Sequence, residues 1–375
     1  MNNKKVILIN VSNLSKGGGA QIAVWLINLL QLIDKYNFTF LVSPVLFKLL
    51  SPPKSSMCNF YIIQKSPVRS VEAKNQIFRV VSEKKPDLVY TLYGPSGINF
   101  PCPEISGLAN AWISCATLSD FFRVHGPLFL VEKLKYIIHG LNLRKKSFLT
   151  FETEISRDNY CKRFFYNKSR TAVIPNTVNS YFNATETCVQ NSKPDTHFKI
   201  LYVAAFYKHK NIHLLPGYAF ALKKSKKIKQ FIFQLTLPEA DFKTVCDSAK
   251  KLGVEAHFEN LGVLNSSELP SVYKNANMVF SPSSLETFSA VYAEAIISNK
   301  YLAVSDKLFT REICKDAALY FDPLNINSVR MVIEKIYTNN GLDMLDLALE
   351  NRASYFITPE KRFELILELF DKELR

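Results

Sequence analysis

The stretch FSPSSLETFSAVYAEAI, residues 280–296, is where the fold is decided. An apolar run ends as a strand at Ser281, a short loop holds Glu286, Thr287 and Phe288, and a helix starts near Ser289 and Ala290 and carries Glu294. Free amides at such a helix start face an anion with the positive end of the helix dipole behind them. Glu294 lies five residues into the helix, roughly 7 Å along its axis. A nucleoside diphosphate laid across the helix start can therefore place its sugar by Glu286 and its ribose by Glu294.

Outward from this stretch the same alternation repeats. Strands are predicted over 6–10, 38–43, 59–63, 87–92, 112–115, 148–151 and 171–175, with helical spacing over 20–33, 71–84 and 128–146. The pattern breaks at NATETCVQNSKPDTH, residues 183–197, which is polar and without period. It restarts with strands over 198–205, 230–236, 256–261, 277–281, 301–304 and 318–321. A last amphipathic helix opens at Pro359. Strands alternating with helices imply parallel sheets covered on both faces, with ligands at the carboxyl ends of strands. The expected division is a first α/β domain over 1–182, a linker over 183–197, a second α/β domain over 198–357, and a helix over 358–375.

Composition narrows the class. The chain has 375 residues, 47% hydrophobic and 21% charged, a globular balance of two-domain size. Seven dispersed cysteines without a CxxC pair argue against a disulfide framework or a zinc site and fit a reducing cytosol. The apolar run after Lys4 and Lys5 is too short for a signal peptide, and no stretch is long enough to span a bilayer. Lys and Arg exceed Asp and Glu to give +14, and residues 121–170 alone carry +7, from 11 basic and 4 acidic residues. Such a field suits anionic lipid, nucleic acid or phosphorylated small molecules. No nucleic-acid module is present, so nucleic acid is not an expected partner.

The spacing of Glu286 and Glu294 within PSxxETFxxxxAEA resembles the signature of retaining glycosyltransferases of family 4, the group 1 type. The resemblance continues through SDKLFTREICKDAALYFDP (305–323), LYVAAFYKHKN (201–211), FENLGVLNSSELPSVYKNANMVFSPS (258–283) and VIPNTV (173–178), and more loosely GGGAQIA (17–23). It implies an α/β chain of GT-B architecture, two Rossmann-like domains facing a cleft with a C-terminal crossover helix. By the same resemblance Glu286 contacts the donor sugar and Glu294 the nucleotide ribose. Thr287, Phe288, Ser289 and Ala290 meet sugar and diphosphate, and Lys210 neutralises the departing diphosphate. The chain departs from the family in lacking an arginine before that lysine, where Ala204, Ala205 and Phe206 stand, so a second cationic contact must come from Lys208 or His209, or be absent. Thr177 replaces the usual glycine after IPN, and Leu235-Thr-Leu-Pro238 replaces a G-x-G.

Each feature also has a plainer reading. Glu286 and Glu294 could serve as a helix N-terminal acid and a surface salt-bridge partner. Lys210 could be one more solvated lysine, and Gly17, Gly18 and Gly19 either an anion or acceptor loop or a tight turn. No D-x-D triplet exists to hold a nucleotide-bound magnesium, so no metal or other cofactor is expected beyond the nucleotide-sugar donor substrate. The expected acceptor is a lipid-linked or oligosaccharide glycan of bacterial surface-polysaccharide assembly, O-antigen, capsule or lipopolysaccharide. The basic window, with Arg123, Lys133, Lys135, Arg144, Lys145 and Lys146, is read as contacting an anionic membrane from the cytoplasmic side. A sugar-nucleotide epimerase and an inactive scaffold subunit of the same fold are the alternatives.

Overall fold

The computed structural model describes residues 4–15, 17–52, 58–178, 181–182, 197–225, 227–351 and 355–375. The expected linker, 183–197, lies outside these except for His197. The chain forms two compact units, one of Met1–Cys115, Val131–Pro175 and Glu360–Arg375, the other of Ala116–Leu130 and Asn176–Pro359.

The first unit is built on β1 (Val6–Val11), β2 (Asn37–Val42), β3 (Cys58–Ile62), β4 (Leu88–Thr91), β5 (Glu104–Leu108), β6 (Phe148–Phe151) and β7 (Thr171–Val173). They pair in parallel in the order β3-β2-β1-β4-β5-β6-β7. The second unit holds β8 (Phe198–Tyr202), β9 (Phe231–Leu235), β10 (Phe258–Asn260), β11 (Met278–Ser281), β12 (Tyr301–Ser305) and β13 (Leu319–Phe321), in the order β10-β9-β8-β11-β12-β13. In each sheet the chain winds outward from the first strand, then crosses to the other side, leaving a switch point between β1 and β4 and between β8 and β11. Helices bury the central strands, which is why these read as near-continuous apolar runs, while the edge strands β3, β7 and β10 stay partly exposed.

Register fixes the core. Ile9 faces Phe40 on one side and Tyr90 on the other, and Val279 lies between Leu201 and Leu302. In the second unit Phe280 stacks on Phe321, with ring centroids 4.9 Å apart. The final helix, Pro359–Glu373, buries Ile366, Leu369 and Phe370 in the core of the first unit, with Phe370 against Tyr90 at 5.2 Å.

Three expectations need correction. Residues 112–115 are not a strand. The neighbouring strand is β5, whose Glu104, Ser106 and Gly107 interrupt the apolar pattern, while Ala111–Ser114 is a short helix capped by Asn110 on the Trp112 amide. Second, Ala116–Leu130 groups with the second unit rather than with 1–182. Thr117 opens its helix, Leu118–His125, with a capping box, and Lys208 donates to the Val124 carbonyl at 3.1 Å.

The third concerns Lys146, which is 6% exposed and cannot touch a membrane. Its ammonium stands 2.6 Å from Glu104 Oε2 and donates to the Ile98 carbonyl at 2.6 Å and to Ser96 Oγ at 3.3 Å. Thr91 donates to the other carboxylate oxygen at 2.8 Å. β5 carries Glu104 into the interior, and a buried carboxylate requires a counter-charge. Lys146→Gln is expected to lower stability by about 3–5 kcal/mol, because it strands Glu104, whereas Lys145→Gln stays within about 0.5 kcal/mol. Urea unfolding midpoints compare the two directly.

Candidate active site

Two loops leave the carboxyl ends of neighbouring strands in the second unit. After β8 the chain makes a single 3-10 turn, Lys208–Lys210, closed by Asn211 in the left-handed region at φ 56°. Asparagine tolerates that backbone better than most residues. Its buried side chain donates to the Pro282 carbonyl at 2.8 Å, tying this turn to the loop after β11. The tie is reinforced from the other side. The Ser284 amide and hydroxyl donate to the His209 carbonyl at 2.8 and 3.1 Å. The loops therefore meet at the switch point between β8 and β11, where open parallel sheets bind ligands.

What the two loops bring together is charge. The Lys210 ammonium donates to Glu286 Oε1, and Ser283 Oγ donates to the same oxygen at 2.8 Å. Both side chains of the ion pair are mostly buried, at 16% and 13% exposure. Tyr202 steadies the turn from beneath by donating to the Lys210 carbonyl at 2.7 Å. A cation and an anion 76 residues apart in sequence thus share one small site.

Beside them, Ser289 is the N-cap of the Ala290–Ile297 helix and makes no side-chain cap bond, and no acidic residue occupies the first turn. Its leading amides can therefore receive an anionic ligand. Thr287 and Ser289 are buried, Phe288 is half-buried with its ring edge toward Phe356, and Ala290 is exposed. His209 stacks on Tyr207, and burial lowers its pKa, which disfavours a second cation there. Lys208 is exposed and spends its ammonium on Val124.

Glu294 sits deeper. It is 6% exposed and accepts a 2.8 Å hydrogen bond from the buried Tyr273 hydroxyl. Burial pushes its carboxyl up to about 7, with the Tyr273 bond pulling the other way. An acid raised in the folded state holds its proton there while the unfolded chain releases it, so stability falls as pH rises between about 4.5 and 7. Glu294→Gln, which still accepts from Tyr273, is expected to flatten that slope and to raise stability at pH 8 by up to about 3 kcal/mol. Melting temperatures of both proteins across pH 4.5–8 are the check.

In the first unit Gly17, Gly18 and Gly19 form the opening turn of the Gly17–Leu30 helix, after β1. Gly17 has φ 71°, and a Cβ at Gly18 would meet open space, so the backbone there is accessible. Of the basic window, Arg123 pairs with Asp120 at 2.6 Å and Lys135 with Glu132 at 3.0 Å, while Arg144 and Lys145 are exposed and Lys133 half-exposed. Sequence reasoning missed Asn211, Ser283 and Tyr273, which hold Lys210, Glu286 and Glu294 in place. The only signal was position, one residue after Lys210 and three before Glu286. Among the described residues no three of His, Cys, Asp and Glu form a group that could hold a metal ion.

The description "Glycosyl transferases group 1" matches residues 184–354. The O-antigen chain mannosyltransferase RfbU of Salmonella typhimurium is 25% identical over 228 residues. That match spans 59% of this chain and 60% of the relative's length. Sucrose-phosphate synthase from Thermosynechococcus elongatus superposes with a TM-score of 0.75 at 15% identity, covering 98% of this chain and 99% of that one. Anabaena HepE, solved in complex with UDP and glucose, gives 0.72 at 14% identity, covering 98% and 100%. At these identities the structural likeness establishes architecture, and it agrees with the two doubly wound sheets. The glycosyl transferases group 1 family model thus matches residues 184–354 of a chain whose fold is of the GT-B type.

Proposed function

We propose that this chain is a retaining glycosyltransferase that moves a hexosyl group from a nucleoside diphosphate sugar to a hydroxyl of a lipid-linked glycan, in O-antigen or related surface-polysaccharide assembly. The observation that carries the reading is the Lys210–Glu286 pair at the switch point, beside a helix start with uncapped amides. The group 1 match, the O-antigen relative and the UDP and glucose held by HepE support it.

In this reading the bond between the sugar's anomeric carbon and the diphosphate oxygen breaks, and the acceptor oxygen bonds to that carbon from the same face. The acceptor's proton passes to the leaving phosphate oxygen. Lys210 and the amides at Ser289 and Ala290 stabilise the negative charge that develops on the diphosphate, so no metal ion is required. Glu286 orients the sugar hydroxyls and Glu294 the ribose. Acceptors of this kind are embedded in lipid, so the protein works at the inner face of the cytoplasmic membrane. Among the described residues no helix is long and apolar enough to cross one. In this reading the attachment is peripheral.

The test is a thermal-shift screen of the full chain against a panel of nucleoside diphosphate sugars. One or a few are expected to raise the melting temperature, in keeping with binding to the folded state alone. No shift with any of them contradicts the proposal.

A further inference from the structure

The helix Phe129–Leu143 is apolar on two opposite sides. One side packs Tyr136, Ile137, Gly140 and Leu143 into a core cluster with Tyr160 and Phe164, and Gly140 is pressed so close to the Phe164 ring that a Cβ there would overlap it. The other side presents Val131, Leu134, Ile138 and Leu141, spaced 3, 4 and 3 residues apart and 64%, 58%, 50% and 45% exposed. At 100° per residue these four fall within a stripe about 80° wide. A surface helix that keeps one face on the core ordinarily turns charge toward water on the other. This one does not, and contiguous exposed apolar surface marks an interaction site.

Charge on the same segment identifies the occupant. Arg144 and Lys145 are exposed immediately beyond the helix end, Lys135 is exposed on its flank, and residues 121–170 carry +7. A second copy of the chain would bring the same excess and be repelled, whereas an anionic lipid surface offers hydrocarbon for the stripe and headgroups for the cations. From this we infer that Val131, Leu134, Ile138 and Leu141 dip into the outer hydrocarbon of an anionic bilayer, and that the cations around them steer docking rather than hold it. The inference rests on the membrane-surface reading above and reassigns the contact from lysine and arginine to a strip of aliphatic side chains.

The experiment is co-sedimentation of the full chain with phosphatidylglycerol–phosphatidylcholine vesicles and with phosphatidylcholine vesicles, at low and high salt. Wild-type protein is expected to bind the anionic vesicles and to keep part of that binding at high salt. Leu134→Gln with Ile138→Gln should weaken it by roughly a hundredfold at either salt concentration, since each removes a buried aliphatic side chain. Arg144→Gln with Lys145→Gln should weaken it severalfold at low salt only. Both variants should keep wild-type melting temperature and wild-type thermal shift with the donor, which separates failure of the docking face from failure of the transfer reading. Vesicle binding unchanged in the Leu134/Ile138 variant overturns the inference. So does a wild-type dimer in sedimentation velocity that this variant converts to monomer, because the stripe would then cover a second copy.

Discussion

Changing Lys210 to Ala is expected to slow sugar transfer by roughly a hundredfold or more, the scale of losing one transition-state stabiliser. The ammonium is delivered to the carboxyl end of β8 by a 3-10 turn that Asn211 and Tyr202 fix from two sides, so its position survives the departure of any one neighbour. Leaving-group charge is largest in the transition state, so the loss should fall on kcat more than on the KM for donor. Lys210→Arg, which keeps the charge but changes its shape, should recover part of the rate. Steady-state kinetics on the three proteins are the measurement. Wild-type turnover in Lys210→Ala would return Lys210 to the ordinary lysines of a basic chain.

Changing Glu286 to Gln should move two quantities in opposite directions. Turnover is expected to fall by roughly a hundredfold, because a neutral amide orients sugar hydroxyls less firmly than a carboxylate. Affinity for the bare nucleoside diphosphate should instead rise by about tenfold, or about 1.4 kcal/mol. Glu286 occupies the very ammonium assigned to the diphosphate, and a bound diphosphate competes with that mostly buried pair for Lys210. Glutamine keeps the Ser283 hydrogen bond but no longer neutralises the lysine. Calorimetry with the nucleoside diphosphate, set beside turnover, reads both effects. Unchanged turnover in this variant removes Glu286 from the site.

The second unit was legible because its strands are short apolar runs closed by turn residues, and because residues 280–296 place strand, loop and helix in immediate succession. β5 was not legible. Its Glu104 and Ser106 are polar residues buried in a parallel sheet, and the partners of Glu104, Lys146 and Thr91, come from 42 and 13 residues away. For the same reason Lys146 looked like surface: a lysine's default is solvent, and only a distant carboxylate makes it a core residue. Amphipathic spacing over 128–146 predicted the helix, yet composition could not tell which apolar side meets the core and which stays exposed. At the candidate site the charged groups were readable from their pattern. The neutral supports, Asn211, Ser283 and Tyr273, were not, since hydrogen bonds across 71, 3 and 21 residues leave no local periodicity.

In the proposed reaction the loops after β8 and β11 transfer a sugar from a nucleoside diphosphate using protein cations and helix amides alone. Its most direct test is nucleoside diphosphate release from the donor that most raises the melting temperature, followed in excess chelator with and without restored magnesium. Release by the wild-type protein is expected to be the same in chelator as in magnesium, and to fall by roughly a hundredfold in the Glu286→Gln protein. Release that vanishes in chelator and returns with magnesium, or that proceeds equally in the Glu286→Gln protein, would contradict it.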